Sequence, residues 1–99
     1  MSRIKITGIA PDGFGLQPLS VRQAWVGLEL PVLGNGNSDC QSFKGPIYRV
    51  DPHIALQALT RNDRTEAYEW FRKHLNIRYI SELHFPADIC EVVDPSSRR

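Results

Sequence analysis

The sequence lacks a hydrophobic run long enough to cross a lipid bilayer. Its most apolar stretch, residues 24–33, is interrupted by Glu29 and Pro31 and is far shorter than the roughly 20 residues that a membrane helix requires. The first five residues, Met-Ser-Arg-Ile-Lys, are not followed by the apolar segment of a signal peptide. We therefore expect a soluble, cytoplasmic protein that does not associate with a membrane.

Cysteine is scarce, and the sequence has no C-x-x-C spacing. Cys40 and Cys90 are its two cysteines, and without an export signal we expect both to be thiols. The histidines, His53, His74 and His84, do not form the short ligand pairs with cysteine that zinc sites use. The sequence predicts no metal site and no cofactor.

A surplus of charge of one sign is also missing. Twelve Lys and Arg residues are balanced by eleven Asp and Glu residues, so the net charge is +1. Nucleic-acid-binding proteins usually carry a clear basic excess, because their affinity comes from neutralising phosphates. The basic residues between 61 and 78 alternate with acidic ones, which predicts a mixed surface. A small nucleic-acid-binding protein is therefore an alternative and not the leading hypothesis.

Catalytic motifs are absent too: the chain has no P-loop, dinucleotide-binding fingerprint, HExxH or GxSxG. The sharpest enzymatic hypothesis pairs Cys40 as nucleophile with His53 as base. Asp39 beside Cys40 opposes it, since a negative neighbour disfavours the reactive thiolate. An enzyme whose site is assembled from scattered Cys, His and Asp residues is the second alternative.

The apolar pattern predicts the element order β, β, β, α, α, β, β. Residues 3–7 alternate between polar and apolar, which places Ile4 and Ile6 on one face of a strand. Residues 20–30 are ambiguous. We interpret them as a strand, while a helix that places Val21, Trp25 and Leu28 on one stripe is the alternative. Residues 34–41 are interpreted as a polar loop. The alternation of Asn and Asp within them is typical of calcium ligands, but the rest of an EF-hand is missing.

Two consecutive helices are predicted in the second half. Asp51 followed by Pro52 is typical of a helix start, and residues 54–59 carry apolar side chains at helical spacing. A second helix is predicted from Asp63, with its apolar face formed by Ala67, Trp70, Phe71 and Leu75. Extended segments follow, ending in a strand at residues 89–93.

These elements define the expected fold class, α+β, with a small, mainly antiparallel sheet and two consecutive helices packed on one face. We expect a single domain over residues 1–94 and a disordered tail over residues 95–99.

Two aromatic residues stand out because they lie in segments otherwise rich in glycine and polar groups. Phe14 and Phe43 are the candidate binding residues, since exposed aromatics often anchor protein interfaces. The alternative is that each folds back onto the core. Because catalytic, cofactor and strong charge signals are missing, the leading hypothesis is a small non-enzymatic binding or accessory module. Its expected partner is another protein or a second copy of the chain.

Overall fold

The computed structural model describes residues 2–12, 17–41, 43–74 and 80–93. Three helices and two three-stranded sheets occupy these ranges, so the predicted α+β class is confirmed. No helix in the described ranges is long and apolar enough to span a bilayer. The elements are β1 (Arg3–Ile6), α1 (Leu19–Ala24), β2 (Glu29–Pro31), β3 (Gly34–Cys40), β4 (Phe43–Val50), α2 (Pro52–Arg61), α3 (Thr65–His74), β5 (Leu83–Pro86), a 3-10 turn (Ala87–Ile89) and β6 (Cys90–Val93).

The strands form two sheets in which every pairing is antiparallel. The first sheet has the order β2-β1-β6 and the second the order β3-β4-β5. The predicted antiparallel pairing is therefore confirmed. The single sheet of the prediction is divided in two, with β1 and β4 as the central strands.

Two segments of the chain cross from one sheet to the other, and each contributes one strand to each sheet. At the first crossing, Val32 N–H donates to Ser2 on the β1 side (3.0 Å), and Leu33 N–H donates to Arg49 on the β4 side (2.7 Å). Gly34 is also the register partner of Arg49. Two residues thus lie opposite one, which is a β-bulge, and a bulge bends a strand sharply. The second crossing runs from β5 through the 3-10 turn into β6.

The hydrophobic core lies between the sheets and the helices. Trp25 is at its centre: its ring meets Phe71 of α3 edge-on at 5.7 Å and Phe85 of β5 at 5.2 Å. Ile4 and Ile6 are fully buried, which confirms the face predicted for β1. The side chains that complete this cluster are Val21, Leu28, Leu30, Val50, Ala55, Leu59, Ala67 and Leu83.

The strand predicted over residues 20–30 is wrong for most of its length. Residues 19–24 form α1, which places Val21 and Trp25 on one buried side. Gly27, at φ 92°, reverses the chain into β2, so the extended conformation begins only at Glu29. Tertiary contacts favour the helix over the strand. Arg64, just before α3, donates to the carbonyls of Ala24 (3.1 Å) and Val26 (3.4 Å) at the end of α1.

The start of α2 is as predicted. The Asp51 side chain accepts a hydrogen bond from His53 N–H at 2.8 Å, and Pro52 is the first helical residue. At the other end, Asp63 adopts a left-handed φ of 60°. Its N–H donates to Thr60 (3.3 Å), while Arg64 N–H donates to Leu59 (2.8 Å). This is a Schellman motif, with aspartate where glycine is usual.

The second helix begins at Thr65, two residues later than predicted, because Asp63 belongs to the end of α2. Ala67 and Phe71 are buried as expected. Trp70 is half-buried and packs on the rim of the core, so its assignment to the interior is only partly correct. Leu75 lies outside the described residues.

Candidate binding surface

Strands β3 and β4 form a hairpin that contains the candidate residue Phe43. Seven residue pairs run from Gly34↔Arg49 to Cys40↔Phe43, with two residues between the strands. Ser38 closes its end: the hydroxyl donates to the Phe43 carbonyl at 2.8 Å and accepts from Cys40 N–H at 3.4 Å. The hairpin end is therefore held by local hydrogen bonds.

The polar loop predicted over residues 34–41 is wrong, because all but its last residue form β3. Glycine, asparagine and aspartate, which make up most of this segment, are depleted in strands. The segment is extended because β4 provides a template: Ile47 and Val50 are buried, and Tyr48 packs against the core. The alternation of exposed Asn35, Asn37 and Asp39 with less exposed neighbours is the period of a strand.

The outer edge of β3 presents backbone groups away from β4. Antiparallel pairs alternate between exchanging two hydrogen bonds and exchanging none. Asn37 lies opposite Pro46, which has no N–H, so this pair is of the second kind. By alternation, the N–H and C=O groups of Asn35, Asn37 and Asp39 point outward. In the part of the chain that the structure describes, β4 is the only strand beside β3.

This edge carries few of the features that normally block strand addition. Natural edge strands are protected by lysine, proline, bulges or short length. Over its seven residues, β3 has one charged side chain, Asp39, and the bulge lies before it at Leu33–Gly34. The edge can therefore accept another extended segment through main-chain hydrogen bonds.

Phe43 is half-buried at the hairpin end. Its ring lies across Gly45, where an added Cβ would be 3.3 Å from Phe43 Cζ. Gly45 also has a φ of 145°, a conformation that favours glycine. Phe43 thus contacts its own strand and keeps an exposed fraction. This position is intermediate between an exposed interface anchor and a side chain folded back onto the core. Phe14 lies outside the described residues.

Arg49 crosses the hairpin close to the outer edge. It lies over Gly34, where any Cβ would overlap its guanidinium. Its Nε donates to the Asn35 carbonyl at 3.3 Å, and Nη1 pairs with Glu82 Oε2 at 3.1 Å. His84 Nε2 lies 2.8 Å from the other Glu82 oxygen. The hydrogen bond from His84, with the nearby Arg49, holds the pKa of Glu82 below its ordinary value. This network stiffens one end of β3.

The proposed pairing of Cys40 with His53 is not supported. Cys40 lies at the hairpin end, and His53 follows the other end of the eight-residue β4. Such a strand is about 25 Å long, so the two side chains are far apart. The Cys40 thiol contacts Ser38 and the Phe43 carbonyl, each at 3.4 Å.

Cys90 is also poorly suited to catalysis. It is half-buried in β6, and its thiol donates to the Pro86 carbonyl at 3.3 Å. Burial, together with the charge of Asp88, raises the pKa of Cys90 to about 12. The described residues contain no cluster of three or more His, Cys, Asp or Glu side chains suited to a metal ion.

The arginines for which the structure describes contacts are used within the chain. Arg22 is buried and donates to the carbonyls of Ala10 (2.9 Å) and Gln17 (3.0 Å). The others bond carbonyls or carboxylates of the same chain; they are Arg3, Arg49, Arg64 and Arg72. These contacts occupy guanidinium N–H groups that would otherwise bind phosphate oxygens, so they do not favour nucleic-acid binding.

Open grooves lined by described residues lie in three places. One, of about 390 Å³, separates α2 from the edge of β2 and has a polar floor that includes Arg3 and Gln57. Another lies beside the start of α3. The third, of about 530 Å³, lies at the start of β3 and is lined by residues that include Leu33, Tyr48 and Val92. No cysteine or histidine lines any of the three, which leaves the β3 edge as the best-defined candidate surface.

Comparison of the chain with protein-family models, curated proteins and solved structures gives no match.

Sequence reasoning missed the edge residues Asn35, Asn37 and Asp39. Their period-two spacing was visible, but their low strand propensity led to the interpretation of a loop. The signal that could have identified a hairpin is the segment 47–50, whose Ile, Tyr and Val favour a strand, a few residues after the alternating segment.

Proposed function

We propose that this protein is a non-enzymatic binding module that takes up an extended polypeptide segment along the outer edge of β3. The observation that carries the proposal is a seven-residue edge strand that contains no lysine or proline and points the N–H and C=O groups of Asn35, Asn37 and Asp39 outward. Strand addition of this kind gains affinity from main-chain hydrogen bonds and specificity from neighbouring side chains.

Aromatic contacts supplement the edge in this proposal. The exposed part of Phe43 lies at the hairpin end, where it can contact a segment that extends past β3. We retain Phe14 as a second binding residue on the sequence argument. Both side chains would bury apolar area on binding, and area of this kind contributes about 25 cal/mol per Å².

The test compares the protein with an Asn37→Lys variant in capture from its native source. A lysine at this exposed position adds a charge to the edge. Gln23→Lys is the matched control, since it adds the same charge to an exposed position of α1. We expect a protein retained by the unmodified chain and the control but lost with Asn37→Lys.

Hydrogen exchange of the recovered complex gives the second measurement. Outward amides of β3 exchange quickly when they face water, and a paired strand slows them. Protection at residues 35, 37 and 39 is expected. Protection confined to another element, or equal capture by the unmodified chain and both variants, would refute the proposal.

A further inference from the structure

We infer that the extended segment taken up by β3 is β3 of a second copy of this chain, paired antiparallel about a two-fold axis at Asn37. This inference rests on the proposed function, for which it names the partner. The inference goes further than the proposed function because the outer edge of β3 is complementary to the same edge of a second copy.

The backbone groups match in this register. With Asn37 opposite Asn37 of the second copy, Asn35 lies opposite Asp39 at each end. Every outward-pointing residue of one strand then meets an outward-pointing residue of the other, and each such pair exchanges two hydrogen bonds, about six in all. The Asn35 carbonyl already accepts a bond from Arg49, and a carbonyl has a second lone pair for the new one.

Neighbouring registers are worse. A shift of one residue places the outward N–H and C=O groups of one copy opposite residues whose own N–H and C=O groups face β4. The hydrogen bonds between the two copies are then lost. A shift that centres the axis on Asp39 brings two carboxylates face to face, which is unfavourable. The register centred on Asn37 is the one that pairs all three outward residues.

The side chains are also complementary in this register. Residues opposite each other share a face of the sheet, so the Asn35 amide meets the Asp39 carboxylate as a donor with an acceptor. Asn37 meets its own copy, and two amides can exchange hydrogen bonds. Within each chain, Lys44 lies opposite Asp39 and offsets its charge. The two carboxylates are kept about 14 Å apart, because four residues separate Asn35 from Asp39.

An apolar surface lies where the hairpin end of the second copy would arrive. Because the strands are antiparallel, this end extends past Asn35 toward Leu33. The groove beside it exposes 55% of Leu33 and 52% of Val92. Covering these side chains adds hydrophobic stabilisation to the main-chain bonds.

The contact is small for a stable dimer. By two-fold symmetry the contact comprises two short strand edges and two grooves, and we expect these to bury less than the roughly 1,600 Å² that is typical of tight complexes. We therefore expect a dimer that forms and dissociates with protein concentration.

The first experiment is equilibrium sedimentation of the purified protein over a range of concentrations. We expect the mean mass to rise from the monomer value of 11.2 kDa toward twice that value. Asn37→Lys places two introduced lysines opposite each other and is expected to stay monomeric, whereas Gln23→Lys should behave as the unmodified chain. Circular dichroism of each variant establishes that it is folded. A folded Asn37→Lys variant that dimerises as well as the control would overturn the inference.

The second experiment tests the register by disulfide formation in a Cys40→Ser background. At the two-fold axis the Cα atoms are about 5.5 Å apart, within the range of a disulfide, so Asn37→Cys should cross-link on mild oxidation. Asn35→Cys alone should not, because its two copies are about 14 Å apart. A mixture of Asn35→Cys and Asp39→Cys should cross-link. The remaining cysteine, Cys90, is half-buried and shared by all variants.

The outcomes separate this inference from the proposed function. A protein that remains monomeric at every concentration, with no cross-link through Asn37→Cys, overturns the two-copy pairing. If such a protein still captures a different protein through β3, the proposed function stands. Cross-linking of Asn35→Cys with itself would mean a different register and would also overturn the inference.

Discussion

Replacing Trp25 by alanine removes the side chain on which the two ends of the core meet. Trp25 is 2% exposed and touches Phe71 and Phe85 edge-on. A buried tryptophan removes about 200 Å² from water, worth about 5 kcal/mol at 25 cal/mol per Å². Partial collapse of the cavity reduces this value, while the lost ring contacts add to it. We expect the free energy of unfolding to fall by about 4 kcal/mol.

The other tryptophan provides the comparison. Trp70 is half-buried, and its ring lies against Phe71 and His74 on the rim of the core. Trp70→Ala should therefore cost less than Trp25→Ala, about 3 kcal/mol, because part of the ring area stays in water. Urea unfolding followed by far-ultraviolet circular dichroism measures both. If Trp25→Ala cost no more than Trp70→Ala, the central position assigned to Trp25 would be wrong.

Four further predictions concern single residues. Asp51→Ala should lower the unfolding free energy by about 1 kcal/mol through loss of the helix cap, and Asp51→Asn, which keeps an acceptor, should not. Asp63→Gly should raise the melting temperature, because glycine adopts the φ of 60° without strain; an unchanged or lower temperature would contradict this. Cys40, exposed, should react with a thiol reagent well before Cys90, whose pKa is about 12; equal rates would contradict the burial of Cys90. Glu82 has a lowered pKa in the folded state, so its contribution to stability is present above pH 4.5 and is lost as the pH falls through the lower folded pKa. The difference in unfolding free energy between the unmodified chain and Glu82→Gln should therefore shrink over that acid range. A difference that grew there would refute the assignment.

The sequence predicted the elements whose signals are local. The start of α2 depends on Asp51 and Pro52, which act within one helical turn, and the structure confirms it. The alternating face of β1 was equally clear, because Ile4 and Ile6 are two residues apart and both fully buried.

The elements that depend on distant contacts were not predictable. The helix α1 ends on carbonyls that are bonded by Arg64, forty residues further along the chain. Strand β3 consists of residues with low strand propensity and is extended because β4 pairs with it. For the same reason the candidate surface was assigned to Phe14 and Phe43, while the backbone groups of Asn35 and its alternating neighbours went unnoticed.

The pairing of β1 with β6 has a consequence for how the chain folds. β1 is the central strand of its sheet, yet Lys5 lies opposite Glu91, so one side of β1 is completed by residues that are synthesised late. The other sheet and the helices α2 and α3 occupy residues 34–86 and can form earlier. Joining distant segments costs loop entropy before any contact repays it, which slows folding. On the ribosome, β1 can pair with β2 once residue 31 has emerged, whereas its other side waits for residues 90–93, so we expect docking of β6 to be the step that completes this sheet.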